Sequence, residues 1–301
     1  MELSFQTIMS QVMLGLNNGV FYAILSLGLA VIFGLLNIVN FAHGALYMLG
    51  AYVALLGFTS LGPLIGLPDF HLNYWVALIV APLVVGAVGI VIEKTMLCRL
   101  YKFDHLYGLL LTFGLALIIQ GVFTNFFNVS GDPYEAKPEI LNGAVSLGFM
   151  MFPKYRLWVI VISLLVCFGT WYVIERTKLG SYLRAGTENP ELVKAFGVNV
   201  PLMITLTYGY GVALAAFAGV LAAPIYSVSP VMGSEMIITV FAVVVIGGMG
   251  SIMGSIVTGL LLGMVEGFTK VVYAPASSTV IFLIMVLVLL VKPAGLFGKE
   301  S

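Results

Sequence analysis

The sequence predicts an all-α fold: a polytopic transmembrane helical bundle of eight to nine spans, with discontinuous helices and one helical element outside the bilayer. Three observations predict it. Hydrophobic residues make up 61% of the 301 residues and charged residues 9%, against about 45–50% and about 25% in ordinary soluble domains. Apolar runs of spanning length follow one another along the chain. The connections are short, the longest being 129–155, so the chain is read as one transmembrane domain, 1–301, without a soluble module. The formal net charge is zero, which gives nucleic-acid binding no electrostatic support.

The expected spans are 8–36, 42–61, 74–97, 106–128, 156–175, 202–224, 235–250, 252–272 and 276–292. The first run is too long for the apolar region of a cleaved signal and lacks a basic flank. It carries Asn17, Asn18 and Gly19 early on. The stretch NIVNFAHG separates it from the second run. Asn37, Asn40 and His43 there fit either an ordinary turn on the cytoplasmic side or a discontinuous helix lining a permeation path. The third run ends at a basic stretch, 93–105, with Lys94, Arg99 and Lys102. The fourth holds Thr112 and Gln120, eight residues apart and so on roughly one stripe, either of which can face a cavity.

Segment 129–155 carries Asp132, Glu135 and Glu139. The pair Asn142-Gly143 between alternating apolar residues predicts a small hairpin. It serves either as a contact for an extracytoplasmic partner or as a plug over the outer face. Cys98 and Cys167 match no metal or redox spacing and are expected as small core residues. His43, His71 and His105 lie in separate connections, so no metal site is expected.

Segment 175–199, ERTKLGSYLRAGTENPELVKAFGVN, holds seven of the chain's charged residues. Leu179–Ala185 predicts one or two helical turns, stopped by Gly186. Asn189 then precedes Pro190, the pairing of a cap residue with a residue favoured at the first helical position. Glu191 adds negative charge where the helix dipole favours it. Leu192, Val193, Ala195 and Phe196 supply an apolar face. Gly197 ends the helix, and Pro201 opens the next span. A surface so polar in a chain so apolar reads as a handle for a soluble partner, or as an amphipathic element on lipid headgroups.

Gly209, Gly211 and Gly219 in the sixth span, and Gly254, Gly259 and Gly263 in the eighth, allow close helix approach. Gly247, Gly248, Gly250 and Gly254 crowd eight residues. Each weakens a helix by about 1 kcal/mol relative to Ala, so a break beside an internal cavity is expected there. Glu266 is read as the one carboxylate inside an apolar run. Lys270, four residues on, can pair with it, or Glu266 can be functional in its own right.

With 93–105 and 175–199 on the cytoplasmic side, nine basic residues lie inside: Lys94, Arg99, Lys102, Arg176, Lys178, Arg184, Lys194, Lys292 and Lys299. Four lie outside: Lys137, Lys154, Arg156 and Lys270. The positive-inside rule favours this orientation. Nine spans then put the N-terminus outside and the C-terminus in the cytoplasm. No P-loop, HExxH or GxSxG occurs, so an enzyme is not expected. A transport protein without a nucleotide site draws on a gradient or on a partner. A secondary transporter with Glu266 or His43 as its protonatable group is the alternative to a partner-driven one.

Three segments carry a family resemblance. They are Gly15–Tyr52 with its NFAHG, RAGTENPELVKAFGVN, and VFAVVVIGGMGSIMGSIVTGLLLG at 240–263. Together they resemble the branched-chain amino acid ABC importer permeases of the LivH type, in order and over nearly the whole chain. The resemblance implies a bacterial inner-membrane subunit paired with a second, homologous permease subunit. It implies two cytoplasmic ATP-binding subunits, which hold ATP and Mg that this chain does not, and a periplasmic substrate-binding protein. It implies ATPase docking through Arg184, Glu188, Asn189, Pro190, Glu191, Lys194, Ala195 and Gly197. Branched-chain amino acids are the expected substrates. Urea, short-chain amides and aromatic acids are alternatives in the same family. Candidate path residues are Asn37, Asn40, His43, Thr112, Gln120, Gly247, Gly248, Gly250 and Glu266.

Overall fold

Apolar residues in lipid force the backbone to satisfy itself, and helices do this within one segment. The computed structural model describes residues 5–36, 38–58, 72–135 and 137–298, and each of the nine expected runs contains an α-helix among them. Asn37, His71 and Lys299 lie outside the described residues. The elements are α1 (Phe5–Leu36), α2 (Ala42–Phe58), α3 (Tyr74–Leu100), α4 (His105–Phe126), β1 (Ala144–Ser146), β2 (Met151–Pro153), α5 (Lys154–Arg176), α6 (Lys178–Glu188), α7 (Pro190–Ala195), α8 (Val200–Ala222), α9 (Met232–Gly247), α10 (Ile252–Tyr273) and α11 (Thr279–Val291). Among the described residues, six helices are long and apolar enough to cross a membrane: α1, α3, α4, α5, α8 and α10. The apolar α2, α9 and α11 are shorter.

Helix starts follow the local sequence. Asp104 caps α4 by accepting from the Leu106 N–H at 2.9 Å. Asn199 caps α8 through the Leu202 N–H at 3.1 Å, with Pro201 in the first turn. Ser251 caps α10 through the Gly254 N–H at 3.1 Å. Each takes up a donor that the first turn leaves without a partner.

The chain divides into two compact units. One comprises the described residues of Met1–Ala30, Glu139–Arg176 and Ile238–Ser301. The other comprises those of Val31–Pro138 and Thr177–Ile237.

In the first unit α1 and α10 meet along glycines. Gly15 and Gly19 face Gly259, Gly263 and Gly267, and a β-carbon at any of them would run into the opposing backbone. Lipid chains are as apolar as leucine, so the packing of small residues rather than apolar burial holds such a pair. Beyond α9 the helix breaks as expected, with Gly248 (φ +100°) and Gly250 (φ +81°) in the left-handed region. The backbone of 294–298 lies against this break. The N–H groups of Leu296 and Phe297 donate to the carbonyls of Ile246 and Gly247 at 2.8 and 3.1 Å.

A hairpin does form in this segment, from β1 and β2, but it does not turn at Asn142-Gly143 as expected; the reversal comes after Ser146. Ala144 pairs with Pro153 and Ser146 with Met151, so Leu147–Met150 make the turn. Gly148 (φ +84°) supplies the left-handed residue there, and Asn142-Gly143 precedes the strand.

The second unit is built around α8, which packs on α3 and α2. Gly209 meets Gly86, Gly219 meets Tyr47, and Gly50 meets Ala216. Tyr208, Val212 and Ala216 are buried against Leu46, Val85 and Leu97. Two further readings are corrected. Cys98 is exposed at the end of α3, its thiol near the Lys94 carbonyl, while Cys167 is buried. Gly186 does not stop α6, which runs on to Glu188.

Candidate functional site

The site begins with the backbone between α1 and α2. Its described residues, 38–41, join the two helices from inside the unit rather than from its surface. Asn40 and His43 are fully buried. The Asn40 Nδ2 donates to the Tyr208 hydroxyl at 3.0 Å, and the Phe41 N–H donates to Thr112 Oγ1 at 3.2 Å. Tyr208 is eight residues beyond Val200, and Thr112 seven beyond His105. At 1.5 Å per residue, the break lies about 10–12 Å along α8 and α4 from those ends.

The start of α9 meets the start of α2 at the same level. Gly44 and Gly233 touch backbone to backbone, so neither position admits a side chain without displacement. Between them and α4 is a half-open cavity of about 60 Å³. Phe41, Met48, Phe113 and Leu117 form its apolar wall, and Gln120 and Ser234 bring side-chain polarity to it. The Asn40 Oδ1 is buried without a hydrogen-bond partner among the described residues. Two helices therefore begin part-way along a span, which is tolerated where protein or a water-filled cavity satisfies the backbone.

The structure thus gathers Asn40, His43, Thr112 and Gln120 in one region of one unit. Asn37 falls outside the described residues. Gly247, Gly248, Gly250 and Glu266 belong to the other unit. Glu266 is 7% exposed, accepts from the Tyr22 hydroxyl at 2.6 Å and pairs with Lys270 at 2.7 Å. The expected i, i+4 pair is there, and Tyr22 is a partner that periodicity did not disclose.

The second part of the site is α6 and α7. The Asn189 Oδ1 accepts from the Leu192 N–H at 3.0 Å, with Pro190 at the first position of α7. Glu191 and Lys194 pair at 2.9 Å on the exposed side. Gly197 (φ +81°) ends the turn. Val193 is buried, whereas Leu192 and Phe196 are 54% and 79% exposed, so the apolar residues of α7 divide between anchor and free face. Arg184, Ala195 and the Glu191–Lys194 pair are also exposed. Glu188 closes α6. A cleft of about 180 Å³ separates Gly186 and Pro190 from Tyr101, Phe103, Asp104 and His105.

Sequence reasoning missed Glu93. It falls within the expected span 74–97, next to Lys94, and was not singled out there. Its side chain is 2% exposed and opens a π-helical turn, Glu93–Leu97, inside α3. Burial, and then the hydrogen bond to Glu93, push the Tyr101 hydroxyl above its ordinary range. The legible signal was the turn itself: the apolar pattern persists through Leu97 and Leu100, past the charge.

The comparisons with known proteins bear on this arrangement. A family profile described as "Branched-chain amino acid transport system / permease component" matches residues 11–291. The chain belongs to that permease family. It is 33% identical to the high-affinity branched-chain amino acid transport system permease protein BraD of Pseudomonas aeruginosa, over 97% of this chain and 96% of that one. It is 27% identical to the corresponding protein LivH of Escherichia coli K12, over 100% and 99%. It is also 28% identical to a probable branched-chain amino acid transport permease of Methanocaldococcus jannaschii, over 92% and 88%. Both the NFAHG break and the capped pair α6–α7 lie within the matched span of this family member.

Proposed function

We propose that the chain, with all of 1–301 acting as one transmembrane domain, imports branched-chain amino acids as the permease subunit of an ATP-driven transporter. The observation that carries this is α6–α7. It is a pair of short helices between two spans, capped at Asn189 and stopped at Gly197, with charge and apolar area left exposed. Two cytoplasmic ATP-binding subunits grip this pair. Arg184, Glu188, Glu191 and Lys194 present charge to them, and Leu192 and Phe196 present the apolar surface. ATP and Mg are bound and hydrolysed in those subunits. A second, homologous permease subunit completes the membrane core, and a periplasmic binding protein delivers substrate. The setting is the bacterial inner membrane, with the N-terminus outside and the C-terminus in the cytoplasm.

The path runs past the break at 38–44. An amino acid zwitterion carries no net charge, so its route needs dipoles rather than ions, and weak contacts keep release fast. Asn40, His43, Thr112 and Gln120 supply dipoles, and Phe41, Met48, Phe113 and Leu117 suit a branched aliphatic side chain. Glu266, held by Tyr22 and Lys270, serves the fold rather than a proton cycle.

The experiment is purification with the neighbouring subunits, reconstitution in proteoliposomes, and uptake over a panel of leucine, isoleucine, valine, phenylalanine, urea and a short-chain amide. Uptake of the first three that needs ATP and the binding protein supports the reading. Uptake by the purified chain alone, driven by a proton gradient, overturns it.

A further inference from the structure

Glu93 has a role that neither its family nor its flanking charge announces. Its two carboxylate oxygens are divided between two hydroxyls. Tyr101 donates to Oε1 at 2.8 Å and Thr205 donates to Oε2 at 2.7 Å. Neither partner is a cation. A carboxylate so buried is costly unless both oxygens are satisfied, and a half-satisfied arrangement is worse than an apolar one. The π-turn is what aims the side chain inward. It inserts a wider turn at Glu93–Leu97 into a helix that is regular up to Ile92, and such turns recur at functional positions.

The two donors come from two different elements, the end of α3 and the base of α8. Tyr101 lines the cleft that faces Gly186 and Pro190. Thr205 is on α8, six residues beyond the cap Asn199. Tyr208, three residues further on the same face of α8, takes the hydrogen bond from Asn40. A continuous sequence therefore runs from the wall facing α6–α7, through Tyr101, Glu93 and Thr205, along one turn of α8 to Tyr208, and into the break at Asn40.

We infer that Glu93 is a positioning residue for energy coupling. By tying the end of α3 to the base of α8, it makes a displacement of α6–α7 reach the Asn40 break instead of being absorbed at the foot of α8. This rests on the reading that ATP-binding subunits dock on α6–α7. Each hydroxyl is separately removable. Thr205→Val keeps the shape and deletes one donor, Tyr101→Phe deletes the other, and Thr205→Ser restores a donor at the first position.

The test uses the complete complex in proteoliposomes, with ATP hydrolysis and leucine uptake measured in the same preparation. Thr205→Val and Tyr101→Phe are expected to assemble and hydrolyse ATP within about twofold of the parent. Leucine moved per ATP is expected to fall by about fivefold or more, the low end of coupling between sites. Thr205→Ser is expected to restore the ratio. Uptake and hydrolysis falling in proportion would make Glu93 a stability residue and overturn the inference, as would an unchanged ratio.

Amide hydrogen exchange over residues 38–43, with and without a non-hydrolysable ATP analogue, separates this from failure of the transport reading. A response to the analogue in the parent complex that Thr205→Val abolishes supports the relay whether or not leucine is the cargo. Its absence in the parent overturns the relay. Leucine uptake that persists in that case leaves the importer reading standing.

Discussion

Glu266 and Glu93 show how differently two buried carboxylates can be kept. Glu266 has Lys270 one turn away and the Tyr22 hydroxyl across the helix pair. Glu93, among the described residues, has two hydroxyls. Hydrogen bonds to charged groups contribute about 1.5–3 kcal/mol, and the half-exposed Lys270 adds less because solvent screens it. Glu266→Ala is therefore expected to lower stability by about 2 kcal/mol, read as a reduced Tm in detergent. Glu266→Gln keeps a carbonyl oxygen for Tyr22 and is expected to cost less than half of that. Uptake per assembled complex is expected to be unchanged in Glu266→Gln. A collapse of uptake with normal assembly would return Glu266 to the transport chemistry.

Both residues bear on what was legible. Glu266 stood out because the residues on either side of it are apolar. Glu93 did not, because a Glu-Lys pair at the end of an apolar run has the form of an interfacial flank. The apolar residues Leu97 and Leu100 beyond it hinted at burial, but its partners Tyr101 and Thr205, the latter more than a hundred positions away, could not be read from the pattern. Long-range partners such as Tyr208 for Asn40 and Tyr22 for Glu266 leave no periodic trace.

At the scale of elements, the nine apolar helices among the described residues were readable because Gly, Pro and charge punctuate the runs. α7 was readable down to its cap, since Asn-Pro at its start and Gly at its end each have one cheap use. The misreadings share a cause. Gly186 and Gly143 were taken as punctuation, yet a glycine within a helix costs only about 1 kcal/mol, which the neighbouring turns of α6 offset. In the hairpin, Gly143 and Gly148 both adopt positive φ, and cross-strand pairing chose between them.

Two predictions belong here. Asn189→Ala is expected to cost about 1 kcal/mol of α7 stability and to weaken ATPase-subunit binding in a pull-down, while Asn189→Asp keeps the cap and the binding. Gly233→Val is expected to prevent accumulation of folded chain. Its side chain falls on the backbone of Gly44 at a helix crossing, where neither partner can yield. Size-exclusion chromatography after mild solubilisation reads this directly, and a monodisperse Gly233→Val preparation would contradict the packing described.

For the whole molecule, the testable quantity is orientation. In a chain with Cys98 and Cys167 replaced by serine, a cysteine at Glu191 is expected to react with a membrane-impermeant maleimide only after the inner membrane is opened. A cysteine at Glu139 is expected to react in intact spheroplasts. The reverse pattern would put α6–α7 beyond reach of any cytoplasmic ATPase. Basic-residue bias is the sequence feature from which this expected orientation is drawn. The division into two units, with 139–176 grouped with both ends of the chain, was not legible from sequence, because it depends on which helices pack rather than on which segments are apolar.

The pairing of Leu296 and Phe297 with the carbonyls of Ile246 and Gly247 also sets a timetable. Fifty positions separate Ile246 from Leu296. At a synthesis rate of about 5–20 residues per second, those carbonyls wait roughly 3–10 seconds for their donors on the ribosome. During that interval the nascent α9–α10 joint must borrow water or the insertion machinery as a stand-in.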